Sequence, residues 1–166
     1  MKRTTRMTAL LSLAVAVLTL GPPAAGALTR TDLDLARAKA ATARYNLPAA
    51  ARAAGFVAEH ECVYDEAGGM GVHWINESRF DGLVDPAEPE VLLYEPGGHG
   101  RPDRLVGVEY VAVAPVGAPP TLFGQRFAQG PEVGDGLAVH ALHVWLWRSN
   151  PAGMFAATNP RVHCPA

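Results

Sequence analysis

At Phe56 the spacing of apolar residues changes from three-and-four to two. A helix returns to one face every 3.6 residues and a strand every second residue, so the switch marks a change of element type. Before it, Leu33, Ala36, Ala40, Ala43 and Leu47 form one stripe, with Arg37, Lys39 and Arg44 off it. Thr31 or Asp32 can cap this helix, and Asp32 and Asp34 suit its positive first turn. Asn46-Leu47-Pro48 reads as a stop and restart. Residues 49–54 make a short second helix, with Gly55 as its C-cap and Phe56 folding back behind it.

After the switch, strands are expected at residues 56–63, 70–76, 91–95, 105–113 and 137–147. Gly97-Gly98-His99-Gly100-Arg101-Pro102 reads as a hairpin loop, and residues 81–89 as a surface loop. Residues 115–131 carry four prolines and read as irregular, with Leu122 and Phe123 as anchors. No helix-length pattern separates the later strands, which argues against parallel βαβ units. The expected fold is α+β: N-terminal helices packed on a mostly antiparallel β-sheet, in a single domain over residues 28–166.

The first residues read as an address. Lys2, Arg3 and Arg6 precede an uncharged run of 14 residues, Met7 to Leu20, then Gly21-Pro22-Pro23 and the small–x–small triplet Ala25-Gly26-Ala27. This predicts a signal peptide over residues 1–27 with cleavage after Ala27. The run is shorter than the roughly 17–25 residues that cross a bilayer. The expectation is a secreted protein, extracellular or periplasmic, with no membrane attachment after cleavage. Without the three leader cations, eleven basic side chains face sixteen acidic ones, a net of −5. No basic stripe is present for nucleic acid or anionic lipid. Cys62 and Cys164 are an even pair without C-x-x-C spacing. In an oxidising compartment they are expected to form a disulfide that pins the C-terminal tail. Two separate thiols, or a thiolate metal ligand, are the competing readings.

The usual catalytic signatures are missing: no H-E-x-x-H, no G-x-S-x-G, no phosphate loop and no C-x-x-C-H. The glycines around His99 read as a turn, since no helix follows to aim amides at an anion. Asp81, Asp85 and Glu88 lack a calcium-loop pattern and read as solvated acids. The sharper candidates are His73, Glu109 and His143, each expected mid-strand among apolar neighbours. Alternation places His73 with Gly71 and Ile75. It places Glu109 with Leu105, Gly107, Val111 and Val113, and His143 with Trp145 and Trp147. Two imidazoles and a carboxylate match a zinc or non-haem iron site with open positions. His140 can replace His143 but not join it on a regular strand. The plainer reading pairs Glu109 with Arg104, Arg126, Arg148 or His73. A metal-free acid–base pair built on Glu109 is a further alternative. Trp145 and Trp147 are candidate ligand-stacking residues, with His143 as the polar group of their pocket.

The runs Gly69-Met70-Gly71-Val72-His73-Trp74, Pro89-Glu90-Val91-Leu92-Leu93-Tyr94 and Leu105-Val106-Gly107-Val108-Glu109-Tyr110 resemble a group of small exported bacterial hypothetical proteins. So do Leu142-His143-Val144-Trp145-Leu146-Trp147 and Asn150-Pro151-Ala152-Gly153-Met154-Phe155. The similarity spans most of residues 56–164. It implies one exported domain and brings no activity, cofactor or residue role.

Three function classes follow. A non-catalytic binding or structural domain, for a small-molecule or protein ligand, is the favoured expectation and requires Glu109 to be neutralised by a protein partner. A metal-binding protein or small metalloenzyme requires His73, Glu109 and a C-terminal histidine to converge on one point. A metal-free lyase or isomerase rests on architecture alone, which assigns no function.

Overall fold

A computed structural model describes residues 27–98 and 100–165. The expected signal peptide, apart from Ala27, lies outside the described residues, as does His99 of the expected hairpin loop. Helix α1 is Arg30–Thr42, a 3-10 turn follows at Ala43–Asn46, and α2 is Pro48–Ala53. Eight strands come next: β1 Val57–Asp65, β2 Gly68–Ile75, β3 Val91–Glu95, β4 Arg104–Pro115, β5 Thr121–Leu122, β6 Gln125–Arg126, β7 Ala128–Gly134 and β8 Leu137–Val144. Six of them form one antiparallel sheet in the order β1-β2-β3-β4-β8-β7, while β5 and β6 pair with each other. The class is thus α+β, with few helices and a dominant antiparallel sheet. No helix among the described residues is long and apolar enough to cross a membrane.

The start of α1 corrects the expected cap. Thr29, not Thr31 or Asp32, caps it: the Thr29 hydroxyl accepts from the Asp32 amide at 3.1 Å, and the Asp32 carboxylate accepts from the Thr29 amide at 2.9 Å. This reciprocal pair satisfies two otherwise orphaned donors. The expected stripe is on the wrong face. Leu33 and Leu47 are 52% and 69% exposed, whereas Ala38, Thr42 and Tyr45 are buried. Alanine-rich helices carry little contrast between faces, and the large ring of Tyr45 decides which one turns inward. Gly55 ends α2 as expected, at φ +90°, with the Phe56 amide donating to the Ala51 carbonyl. That arrangement needs a left-handed residue, which glycine supplies without strain.

Two apolar clusters lie on opposite faces of the sheet. The first holds Trp74, Leu92, Tyr94, Val108, Tyr110, Leu142 and Val144 together with Ala38, Tyr45, Ala51 and Phe56 from the preceding arm. The Tyr94 hydroxyl donates to the Tyr45 carbonyl, and the Trp147 indole donates to the Thr42 hydroxyl at 3.3 Å. Burying each side chain of this size contributes roughly 1.5–3 kcal/mol. The second cluster holds Val91, Leu93, Val106, Trp145 and Val162, flanked by Ile75 and Val111.

Register irregularities revise several expected faces. Leu93 pairs with Gly107 but Tyr94 pairs with Leu105, so Val106 is an extra residue in β4. The bulge moves Leu105 into the first cluster and Val106 into the second, the reverse of simple alternation. Strand β8 ends at Val144, three residues earlier than expected, because the Leu146 amide turns back onto the Val144 carbonyl. Trp145 and Trp147 therefore fall in different clusters and do not share a face. The stretch at 115–131, expected to be irregular, contains β5, β6 and most of edge strand β7. Glycine and proline within Ala128–Gly134 hide its strand character, and an edge strand tolerates both.

Cys62 and Cys164 are joined by a disulfide, with Cα atoms 5.5 Å apart. The tail that it holds is also stitched to β2 by the Gly69 and Asn159 backbones, and to β3 by the His163 amide donating to Glu95 at 3.1 Å.

Candidate metal centre

Strands β2, β4 and β8 bring His73, Glu109 and His143 together on the sheet face of the second cluster. Glu109 pairs directly with His143 across β4 and β8. His73 reaches Glu109 over β3, where it pairs with Leu93. Strands two places apart are separated by about 10 Å, so the contact needs the sheet to curl towards this face. Gly107 keeps the space open: a Cβ there would lie 3.2 Å from Trp145 and 3.3 Å from Leu93.

His73 Nε2 lies 3.5 Å from Glu109 Oε2, and His143 Nε2 lies 3.7 Å from Glu109 Oε1. The three ligand atoms all fall within 4.8 Å of one another. Both nitrogen–oxygen gaps are too long for good hydrogen bonds. They are close to the spacing of about 3.4 Å between ligands that each lie near 2.1 Å from a tetrahedral cation. His73 Nδ1 and His143 Nε2 are buried with no hydrogen-bond partner among the described residues.

The electrostatics follow from burial. His143 is pushed down to about 4 by burial, with a smaller contribution from the nearby His73. Burial also lowers His73, partly offset by the carboxylate of Glu59. Glu109 is pushed up to about 7 by burial and then by the charges of Glu90 and Glu59. Near neutral pH both imidazoles are neutral, so the close contacts are not ion pairs. Neutral imidazoles present free lone pairs, the form that a metal requires. The arginines considered as partners for Glu109 are engaged elsewhere or exposed. Arg104 pairs with Glu95, Arg148 donates twice to the Arg161 carbonyl, and Arg126 lies exposed on β6.

The remaining candidates separate from this cluster. His140 points away from it, fully buried on the other face, with both ring nitrogens unpartnered among the described residues. Trp145 is 3% exposed, donates to the Ala156 carbonyl at 2.7 Å and stacks on His143 at 6.3 Å between ring centres. It is a wall of the site. Trp147 lies on the opposite side, with the Lys39 ammonium 5.2 Å from its ring centre. Asp81 and Asp85 accept from the Leu83 and Ala87 amides, and Asp85 also pairs with Arg37, so these acids shape a loop.

The alternating pattern did not single out Glu90. It is 2% exposed, accepts from the Val111 amide at 3.0 Å, and is pushed up to about 7 mainly by burial. Its place just before an apolar run was the available signal. A surface cleft of about 720 Å³ lies beside the disulfide around Glu95, Arg101, Arg104 and His163 and contains none of the three clustered residues. Comparison with protein-family models, curated proteins and solved structures gives no match for this chain.

Proposed function

We propose that this is an exported protein that binds one divalent transition metal, zinc or non-haem iron, through His73, Glu109 and His143. One observation carries the reading. A nearly buried carboxyl faces two neutral imidazoles, one at each of its oxygens, at distances too long for good hydrogen bonds, and one ligand atom from each residue lies within 4.8 Å of the others. Left without a cation, the carboxyl escapes the cost of a buried charge by holding a proton up to about pH 7, and a metal would displace that proton. Three protein ligands leave at least one coordination position open, so water or a small molecule can bind the metal. The disulfide and the absence of a membrane-crossing helix among the described residues fit an extracellular or periplasmic location. In this reading the helical arm closes one face of the sheet, and the metal occupies the other.

The plain structural alternative neutralises Glu109 with a proton, which its raised value of about 7 permits, and it leaves the site without metal. The test is elemental analysis of protein recovered from an oxidising compartment, beside His73→Ala. One equivalent of zinc or iron in the parent, lost in the variant, is the expected result. No bound metal after both ions have been offered would overturn the proposal.

A further inference from the structure

Strand β1 carries an irregularity centred on His73. Ala58 pairs with Trp74 and Cys62 pairs with Val72. Three residues of β1, Glu59, His60 and Glu61, therefore stand opposite the single residue His73. Ala58 and Cys62 keep the face of Trp74 and Val72, so alternation continued through the irregularity would put Glu59 and Glu61 on the face that carries His73. Bulges of this kind often re-aim a side chain beside a functional site.

Glu59 is exposed, on an edge strand, with no cation within salt-bridge distance among the described residues. It lines a cleft of about 490 Å³ together with Val57, Ile75 and Asn76. Ile75 is in register with Val91, and Val91 with Glu109. The cleft thus adjoins the row that holds two of the three proposed ligands. The charge of Glu59 acts on both His73 and Glu109.

A divalent cation on two neutral imidazoles and one carboxylate keeps a net charge of +1. Holding that charge in a nearly buried site is costly, and a second carboxylate removes it. We infer that Glu59 is a fourth protein ligand, carried onto the metal from the β1 bulge and closing the side of the site that faces the cleft. The inference rests on the metal reading above. It assigns the site two nitrogens and two carboxylates.

The test compares the parent with Glu59→Gln, Glu61→Gln and His73→Ala, using zinc affinity by chelator competition and the visible spectrum of the cobalt(II) form. Glu59 is exposed, so its variant keeps the fold. Removing a ligand should weaken zinc by at least the roughly tenfold seen when weaker outer-shell partners are lost, and should change the cobalt bands. Glu61→Gln removes an equal charge from the same bulge. It should weaken zinc by no more than about sixfold, the effect of one negative charge on a doubly charged ion about 8 Å away in water. If Glu59→Gln behaves like Glu61→Gln while His73→Ala abolishes binding, the fourth ligand is refuted and the three-residue centre stands. If the parent takes up neither zinc nor cobalt, both readings fall.

Discussion

At the scale of single residues, three glutamates are buried, and two of them, Glu109 and Glu90, lack the arginine ion pair that Glu95 has with Arg104 among the described residues. Glu109 faces imidazoles, and Glu90 faces a backbone amide. Glu90 gives a pH prediction with a definite sign. Its folded-state value, raised from 4.5 to about 7, means that the native protein holds this proton more tightly than the unfolded chain. The stabilisation it provides is complete below about pH 4.5 and is lost as the pH rises through 7. Burial of His73 and His143 acts in the opposite sense below about pH 6.5, so the Glu90 contribution is read as a difference: in urea unfolding in chelator-treated buffer, the stability of the parent relative to Glu90→Gln should fall between pH 5 and pH 7.5. An unchanged slope in the variant would remove Glu90 from the account. The clustered residues were legible in the sequence because each is a polar side chain inside a strongly apolar strand. Glu90 was less legible because it sits at a strand boundary, where an acid looks solvated. His140 and His143 could not be ranked by composition. Only the register between β4 and β8 decides that His143, not His140, shares a face with Glu109.

At the scale of elements, the strands were legible where period two runs unbroken and misread where a bulge intervenes. The sequence locates β3 and the middles of β2, β4 and β8, because Val, Leu, Tyr and Trp are concentrated there. It does not reveal that Val106 is extra, since a bulge depends on what the neighbouring strand does. The helix stripe was misread for a related reason: alanine at 36, 40 and 43 costs little to bury or expose, so packing against Tyr45 and Phe56 determined the face. Gly107 is the element-level test. The added methyl of Gly107→Ala would lie 2.9 Å from the Val144 carbonyl, with Trp145 and Leu93 only slightly further away. Overpacking of this kind costs typically 1–3 kcal/mol. The strain should pass to Trp145 and, through its stacking, to His143. Denaturant unfolding should show the loss, and near-ultraviolet circular dichroism should show the displaced indole. A variant as stable as the parent, with the same spectrum, would mean that β4 and β8 have more room than the structure shows.

At the scale of the whole molecule, residues from opposite ends of the described chain join the apolar clusters on the two faces of the sheet. Residues of the N-terminal arm share a cluster with one face, and Val162 of the tail shares the other with Trp145. Only the second face carries His73 and His143, while His140 is buried on the first. The disulfide has two separable effects. It closes a loop of 102 residues, which in the chain-entropy model stabilises the fold by roughly 4–5 kcal/mol through the unfolded state. It also holds the tail where Val162 packs in one cluster with Trp145, which stacks on His143. A Cys62→Ser/Cys164→Ser variant should lose roughly 2–5 kcal/mol in urea unfolding. If entropy were its only role, the folded variant would bind zinc as tightly as the parent, because loop closure does not alter the native state. The tail's further bonds to Gly69 and Glu95 lie on β2 and β3, the strand that carries His73 and its neighbour. Loosening the tail should therefore also weaken zinc binding, measured at a urea-free temperature where the variant remains folded. Unchanged zinc affinity beside lowered stability would confine the bridge to the unfolded state. Lowered affinity would show that the tail is part of the site's wall.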